Sequence, residues 1–380
     1  MWISRLLLTD FRNHEQLSLV LDAQPVVLAG PNGAGKTNVL EAVSLLTAGQ
    51  GLRRAPYPEL SRRDGPGGWA VAATLRDGNL SVAIGTGVTS SPTPSDRTGR
   101  IVRVDGQTQT GSGVLAEHVE MLWLTPAMDG LFTGAASDRR RFLDRLVLCL
   151  DPAHATRAGQ FERAMRQRNR LLDDGVRDAA RFRGLELLMA QTGVAMAAAR
   201  AQAVTALCAN IDARRLDAPN SPFPWATVEL TGTLEAAVRD RPAVDVEDVY
   251  AGALEAGRER DRAAGRTLEG PHRSDLIVGH GPKSMPASAC STGEQKALLV
   301  GLVLAHAEML TVRRNGVAPI LLLDEIAAHL DERRRHALFQ ELLRLGTQAW
   351  LTGTDQSAFS ALVNDAQFLV VEDGRIAAAA

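Results

Sequence analysis

Gly30-Pro31-Asn32-Gly33-Ala34-Gly35-Lys36-Thr37, in one-letter form GPNGAGKT, spells G-x-x-x-x-G-K-T. Before it stands Pro25 to Gly30 (PVVLAG), a short continuous apolar run of the kind a parallel sheet buries on both faces. After it, from Asn38 to Leu46, apolar residues recur at helical spacing. Strand, glycine loop and helix in that order turn backbone N–H groups inward and aim a helix N-terminus at one spot. Such a spot holds an anion, and the motif predicts a nucleotide phosphate. Lys36 is expected to reach the β- and γ-phosphates, and the Thr37 hydroxyl to take a position on Mg2+. The candidate nucleotide contacts are therefore Gly30, Pro31, Asn32, Gly33, Ala34, Gly35, Lys36, Thr37 and Asn38.

A second apolar run, Ile320 to Leu323, ends in Asp324-Glu325 (ILLLDE). Alone, two acids at a strand end read equally well as solvated charges. Beside a phosphate loop, Asp324 is expected on the metal and Glu325, on the opposite side of the strand line, as a base that polarises a water. Asp331, in AAHLD, opens the next helix, where an acid is favoured by the helix dipole. Between loop and acids lies ACSTGEQKALL (Ala289 to Leu299). The helix it opens is apolar almost all round, which predicts burial, yet its first turn is polar. Ser291-x-x-Glu294 accounts for part of that as a capping box.

The chain has 380 residues, enough for two or three domains, and 42 basic residues against 44 acidic ones. With a net charge of −2, an anionic partner must be met by a local patch. Lysine occurs only at Lys36, Lys283 and Lys296, so 39 of the 42 basic residues (42 − 3) are arginine. Cys149, Cys208 and Cys290 lie far apart, which argues against zinc and a disulfide framework and fits a reducing compartment. No signal-peptide layout and no apolar run of about 18 residues is read, so the expectation is a cytoplasmic protein without a membrane span.

Residues 1–125 read as strands around the loop and its helix, with a turn-rich stretch from Ser90 to Gly99. Residues 126–270 read as mainly helical, with a cap at Ser137, and residues 271–380 return to strands and the buried helix. The predicted fold class is α/β: mixed sheets in one domain split by a helical second lobe.

Loop, Ser-x-Gly helix tip and acid pair, in that order, resemble ABC-type ATPases, whose signature motif caps the γ-phosphate held by a second protomer. Lys36 and Ser291 are 255 residues apart (291 − 36), more than a transporter's ATPase subunit usually has. LTDFRNHEQLSL (Leu8 to Leu19), GPNGAGKTNVLEAV, LTPAMDGLFTGAASDRRRFLDRL (Leu124 to Leu146), TLEGPHRSDL (Thr267 to Leu276), STGEQKALLVGLVLAHA and LLLDEIAAHLD together resemble the RecF family, bacterial recombination mediators related to SMC heads. The resemblance implies a weak DNA-stimulated ATPase using ATP and Mg2+, and an ATP-dependent homodimer on DNA, both duplex and single/double-strand junctions. It further implies partnership with RecR, and with RecO and RecA at gaps and stalled forks, in DNA replication, repair and the SOS response. By position it makes Lys36, Asp324 and Glu325 catalytic, Thr37 and Asp324 metal-side, Ser291 and Gly293 the trans phosphate cap, and Asp331 part of the dimer contact.

Some residues depart from the pattern or stay open. WLTGTD (Trp350 to Asp355) carries Thr352 and Thr354 where ABC ATPases usually have a histidine, which implies slow, switch-like hydrolysis. WLTPAMD (Trp123 to Asp129) occupies the glutamine-loop region without a glutamine. Arg53 and Arg54 stand where SMC heads place an arginine, and equally fit a surface loop. His272 and Arg273 are expected to pack. Arg139 to Arg141, Arg163/Arg166/Arg168/Arg170 and Arg333 to Arg335 are the candidate phosphate-backbone contacts. A transport ATPase and a chain-spanning SMC protein are disfavoured, since the 145 residues of 126–270 fit neither a short motif gap nor a long heptad array.

Overall fold

The computed structural model describes residues 1–89 and 99–378 and divides into two compact units. The turn-rich stretch expected from Ser90 to Gly99 lies, apart from Gly99, outside the described residues.

The first unit comprises Met1–Asp129, Arg214–Pro224 and Ser291–Ala380. One of its sheets is antiparallel, in the order His14–Val20, Trp2–Phe11, Trp69–Asp77, Leu80–Val88, Ile101–Val104, Gln107–Gln109. Strand Trp2–Phe11 sends Ile3, Leu6, Leu8 and Phe11 into the core. The three-residue step from Ile3 to Leu6 breaks simple alternation, and the pairing with Trp69–Asp77 is irregular at Ile3/Arg5. A bulge there keeps both flanking residues on the buried face.

The other sheet runs Arg375–Ala378, Gln367–Glu372, Val26–Ala29, Ala349–Gly353, Ile320–Leu323, Met121–Leu124. All its pairings are parallel except the hairpin between Gln367–Glu372 and Arg375–Ala378, whose second strand was not read from the sequence. Val26–Ala29 and Ile320–Leu323 are buried at every position, as strands covered on both faces must be. Leu6, Leu8 and Phe11, Val26 and Leu28, and Val39, Leu40 and Val43 of helix Lys36–Ser44 share one core. Buried Gln348 ties the sheets together: its amide accepts from Ile3 N (2.9 Å) and donates to Ile3 O (3.0 Å) and Asp22 O (2.8 Å). A buried amide is tolerated because both its ends are satisfied.

The second unit comprises Gly130–Ala213 and Trp225–Cys290. Its helices include Ala136–Leu148, His154–Asp173, Ala243–Ala256 and most of Ala179–Asp217, a helix of 39 residues. The first begins after Ala135 with no side-chain cap, so Ser137 sits inside its first turn and is not the cap expected. Phe161, Met189, Val194, Ala197, Val246 and Tyr250 form the core. A three-stranded antiparallel sheet pairs Asp275–His280 with Ala226–Thr231 on one side and Met285–Pro286 on the other. Residues 271–290, read from the sequence with the C-terminal part of the first domain, are held in this second unit by that pairing.

Two arginines are buried at the centre of this unit. Arg168 reaches Glu186 (3.0 Å), Asp261 (2.8 Å), Thr267 Oγ1 (2.9 Å) and Leu254 O (2.7 Å). Arg200 reaches Asp144 (2.8 and 2.9 Å), Pro271 O (2.6 Å) and Ser274 Oγ (2.8 Å), with Glu235 at 3.4 Å. Burial pushes the Asp144 carboxyl up, but Arg200 and His154 outweigh it and hold the group below its ordinary value. GPHRSDL is therefore a packing motif: Pro271 and Ser274 receive Arg200, Asp275 pairs with Arg139 (2.7 Å), and His272 Nε2 bonds Thr267 O (3.0 Å).

Among the described residues two helices, Ala179–Asp217 and Thr292–Arg313, are long and apolar enough on average to cross a membrane by length and composition, although neither is a continuous apolar run of 18 residues. The apolar window of Thr292–Arg313 is 72% buried inside the protein, and Ala179–Asp217 supplies Met189, Val194 and Ala197 to the core.

Candidate functional site

Strand Val26–Ala29 ends at Gly30, whose N–H donates to Gly353 O on the neighbouring strand (3.2 Å). A Cβ at Gly30 would lie 2.1 Å from Val371 O, so only glycine fits where the loop leaves the sheet. Gly35 closes the loop at φ 113° and caps helix Lys36–Ser44; a Cβ there would meet Asn13 Nδ2 at 2.5 Å. Lys36 is buried and donates from Nζ to Gly30 O (2.6 Å) and Pro31 O (2.9 Å). Burial lowers its pKa, and the charges of Glu325 and Asp324 oppose that shift. The ammonium thus rests on the loop's own carbonyls, which take two of its three N–H donors.

Thr37 Oγ1 donates to Asp324 Oδ1 at 3.0 Å. Residues 287 apart in sequence meet because the acid strand Ile320–Leu323 lies one strand away from Val26–Ala29, with Ala349–Gly353 between them. That middle strand contributes Thr352, fully buried, whose hydroxyl lies 2.8 Å from Asp324 Oδ1 and accepts from Glu325 N at 2.8 Å. Among the described residues no group of three or more His, Cys, Asp or Glu stands ready for a metal. A hydroxyl and one carboxylate fit Mg2+ of the kind whose shell is completed by phosphate oxygens and water.

Glu325 does not follow strand alternation as expected. The strand ends at Leu323, and Glu325 takes φ 51°, ψ 21° as it enters the short turn Ile326–His329. A non-glycine residue there costs about 1–3 kcal/mol, a strain that clusters at functional sites.

Ser291 caps helix Thr292–Arg313, and the capping box is present: its Oγ accepts from Glu294 N, while Glu294 Oε2 accepts from Ser291 N (3.0 Å). Ser291, Thr292 and Gly293 are exposed, and a Cβ at Gly293 would meet nothing within 4 Å. The helix packs on Met121–Leu124, the sheet edge three strands from Val26–Ala29. At ~4.8 Å per strand this puts that edge about 14 Å from the phosphate-loop strand. Lys296, one turn in and buried, pairs with Asp129 (3.2 Å), which is where WLTPAMD ends. Asp331 caps helix Glu332–Leu345 by accepting from Arg334 N (2.8 Å), and Arg334 NH1 reaches Gly293 O at 3.5 Å.

The sequence reading did not place Arg12, Asn13 or Glu41. The turn Asp10 to Asn13 joins the first two strands with two non-glycine residues at positive φ, Asp10 (47°) and Arg12 (56°). Asn13 donates to Ala34 O (3.1 Å) and accepts from Asn38 Nδ2 (2.7 Å). Buried Glu41 receives Arg12 (2.8 and 2.9 Å) and Arg53 (3.3 Å), and Arg53 also bonds Asn38 Oδ1 (2.8 Å). Arg12 and Asn13 lie in LTDFRNHEQLSL and Glu41 in GPNGAGKTNVLEAV, but the backbone turn that brings them together is not visible in residue types.

Most candidate backbone contacts turn out to have protein partners. Arg139 pairs with Asp275, Arg140 donates to Ser274 O (2.7 Å), Arg141 pairs with Asp138, and Arg168 is buried. Arg163, Arg170 and Arg333 are exposed, and Arg166, also exposed, pairs with Glu162 (3.5 Å).

Residues 2–373 match the family described as RecF/RecN/SMC N terminal domain. The DNA replication and repair protein RecF of Mesorhizobium japonicum is 57% identical over 98% of this chain and 97% of its own length. The protein of the same name from Rhizobium johnstonii is 55% identical over 98% of both. Among solved structures, the recombination mediator protein RecF-ATPrS of the RecFOR pathway superposes with a TM-score of 0.84 at 21% identity, covering 100% of this chain and 98% of that one. The Smc head domain of Pyrococcus furiosus, bound to the C-terminal domain of ScpA, gives 0.54 at 16% identity over 100% and 96%. By descent and by fold, the chain belongs to the RecF/RecN/SMC N-terminal domain family, in which its close relatives are RecF proteins.

Proposed function

We propose that this chain is an ATP-driven switch of recombinational DNA repair, in which two copies close on ATP while bound to DNA. One observation carries the reading. The Thr37–Asp324 contact builds a metal-and-phosphate corner at one place in the sheet, while the exposed cap at Ser291 stands on the far edge. An anion site that its own loop does not serve is suited to the phosphate of a second copy.

In this reading Gly30 to Asn38 hold the nucleotide, and Lys36 exchanges loop carbonyls for the β- and γ-phosphates. Thr37 and Asp324 hold Mg2+, which when bound neutralises phosphate charge. Glu325 orients a water and accepts its proton. Ser291 and Gly293 cap the γ-phosphate of the partner copy, with Asp331 at the seam. Hydrolysis is slow and stimulated by DNA, and it resets the switch by removing the ligand that favours the closed dimer. The names of the relatives support a place in DNA replication and repair and in the RecFOR pathway. RecR is then the direct partner, RecO and RecA act downstream at single-strand gaps, and the setting is cytoplasmic. The first unit, Met1–Asp129, Arg214–Pro224 and Ser291–Ala380, serves as the ATPase head and the second as the helical lobe.

Light scattering on wild type, Ser291→Arg and Lys36→Ala tests this, with and without ATP and duplex DNA at two salt concentrations. Wild type is expected to double its mass with ATP. Ser291→Arg should bind a fluorescent ATP analogue yet stay at the mass of one chain, and Lys36→Ala should lose nucleotide binding by about 100-fold or more. A Ser291→Arg protein that doubles its mass like wild type would rule out the trans cap.

A further inference from the structure

Thr352 sits on the strand Ala349–Gly353, which lies directly between the phosphate-loop strand and the acid strand. Its neighbours Trp350 and Leu351 are fully buried, as Thr352 is. Valine has the same shape and suits such a strand, so packing alone gives no reason for a hydroxyl. The hydroxyl is used twice. It has a single proton, and the Glu325 N–H that it also meets can only donate, so at 2.8 Å from Asp324 Oδ1 that proton points to Asp324. A lone pair is then left for Glu325 N–H, also at 2.8 Å. Each bond fixes the direction of the other.

We infer that Thr352 is a positioning residue for nucleotide hydrolysis, setting with one hydroxyl both the metal-side acid and the backbone turn that aims the base. Two hydroxyls, of Thr37 and Thr352, converge on the same oxygen of Asp324, Oδ1. That convergence restrains the carboxylate's rotation and leaves Oδ2 outside both hydroxyl bonds, so Asp324 would meet a cation with an acceptor still free. The second bond supports the left-handed backbone of Glu325, φ 51°, at the point where the chain leaves the sheet. Thr37, Asp324, Thr352 and the Glu325 N–H thus form one connected line across adjacent elements. The inference rests on the roles given to Asp324 and Glu325 in the proposed function.

The test compares Thr352→Val, which keeps the shape, with Thr352→Ser, which keeps the hydroxyl. Two quantities are read: the steady-state hydrolysis rate, and equilibrium binding of a fluorescent, non-hydrolysed ATP analogue titrated with Mg2+. Thr352→Val is expected to lower kcat by about 10–100-fold and raise the half-saturating Mg2+ concentration by about 10-fold, the usual effect of losing a residue that orients a metal-side acid. Its affinity for the analogue in EDTA should stay within about twofold, since the loop contacts are untouched. Thr352→Ser should remain within about threefold of wild type throughout, because the oriented donor is retained. Wild-type kcat and Mg2+ dependence in Thr352→Val overturns the assignment, and so does Thr352→Ser failing as badly as Thr352→Val, which would mark the methyl group. If Thr352→Val does not fold, Thr352→Cys, close in volume and a weak donor, is expected to show the same pattern, and a wild-type Mg2+ dependence there is equally fatal. Failure of the dimer switch reads out separately, as absence of mass doubling in wild type with the Thr352 contrast intact.

Discussion

Buried charge is treated differently at the two arginines of the second unit and at the phosphate loop of the first. Around Arg168 and Arg200 each guanidinium is met by carboxylates and carbonyls at hydrogen-bond distance, although Glu235 Oε2 and His154 Nδ1 are left without a hydrogen-bond partner. At the phosphate loop the arrangement is provisional: Lys36 rests on backbone carbonyls, and Gly293 on the far sheet edge faces open space. The same chemistry of desolvated charge therefore serves architecture at the two arginines and, in the function proposed above, exchange at the loop. Fixed carboxylate partners let a buried charge specify packing, whereas backbone carbonyls alone leave it uncompensated by any anion.

That contrast is breakable, most severely at Arg200. Arg200→Met should strand Asp144 and Glu235 without their cation and destabilise the chain by about 3–5 kcal/mol in urea unfolding. A near-neutral result would mean that the contacts of Arg200 do not hold this unit together. Asp144→Asn is the next test. Because the folded protein holds this carboxyl below its ordinary 3.8, its contribution is full above that pH and is lost as pH falls through the folded value. Wild type should therefore lose stability more steeply than Asp144→Asn on acidification from pH 4 to pH 2, and equal slopes would remove Asp144 from the account. The smallest effect belongs to Gly293→Ala. With no atom within 4 Å of the new methyl, unfolding should shift by no more than about 0.5 kcal/mol, while ATP-driven mass doubling weakens. A clear stability loss there would show that the tip already has a neighbour.

What was legible in the sequence was local. The run PVVLAG, the glycine loop and the helix after it are contiguous, and strand, loop and helix appear where the pattern put them. The capping box at Ser291 was readable for the same reason. Long-range pairing was not. Arg168 looks like one more solvent-facing arginine on a basic helix, since Glu186 and Asp261 lie 18 and 93 residues away. The reach of the second unit to Cys290 was missed because Asp275–His280 reads as any strand until its partner Ala226–Thr231 is known. Glu325 was assigned a face by alternation, but the strand stops two residues before it and the backbone turns left-handed. Thr352 was noticed only as a missing histidine. Its two bonds depend on strand order, which residue types do not encode.

The strand order also bears on how the chain is made. Val26–Ala29 is flanked on both sides by strands that arrive much later, Ala349–Gly353 and Gln367–Glu372, a gap of 320 residues to the nearer one (349 − 29). At about 5–20 residues per second a ribosome needs roughly 15–60 s to cover it, and in that time the loop strand has no sheet to join. The second unit is fully synthesised before those strands exist and can mature first. Nascent nucleotide-binding segments of this kind leave the tunnel as exposed β-prone, apolar peptide, and their protection during translation falls to chaperones or to the antiparallel strands made alongside them.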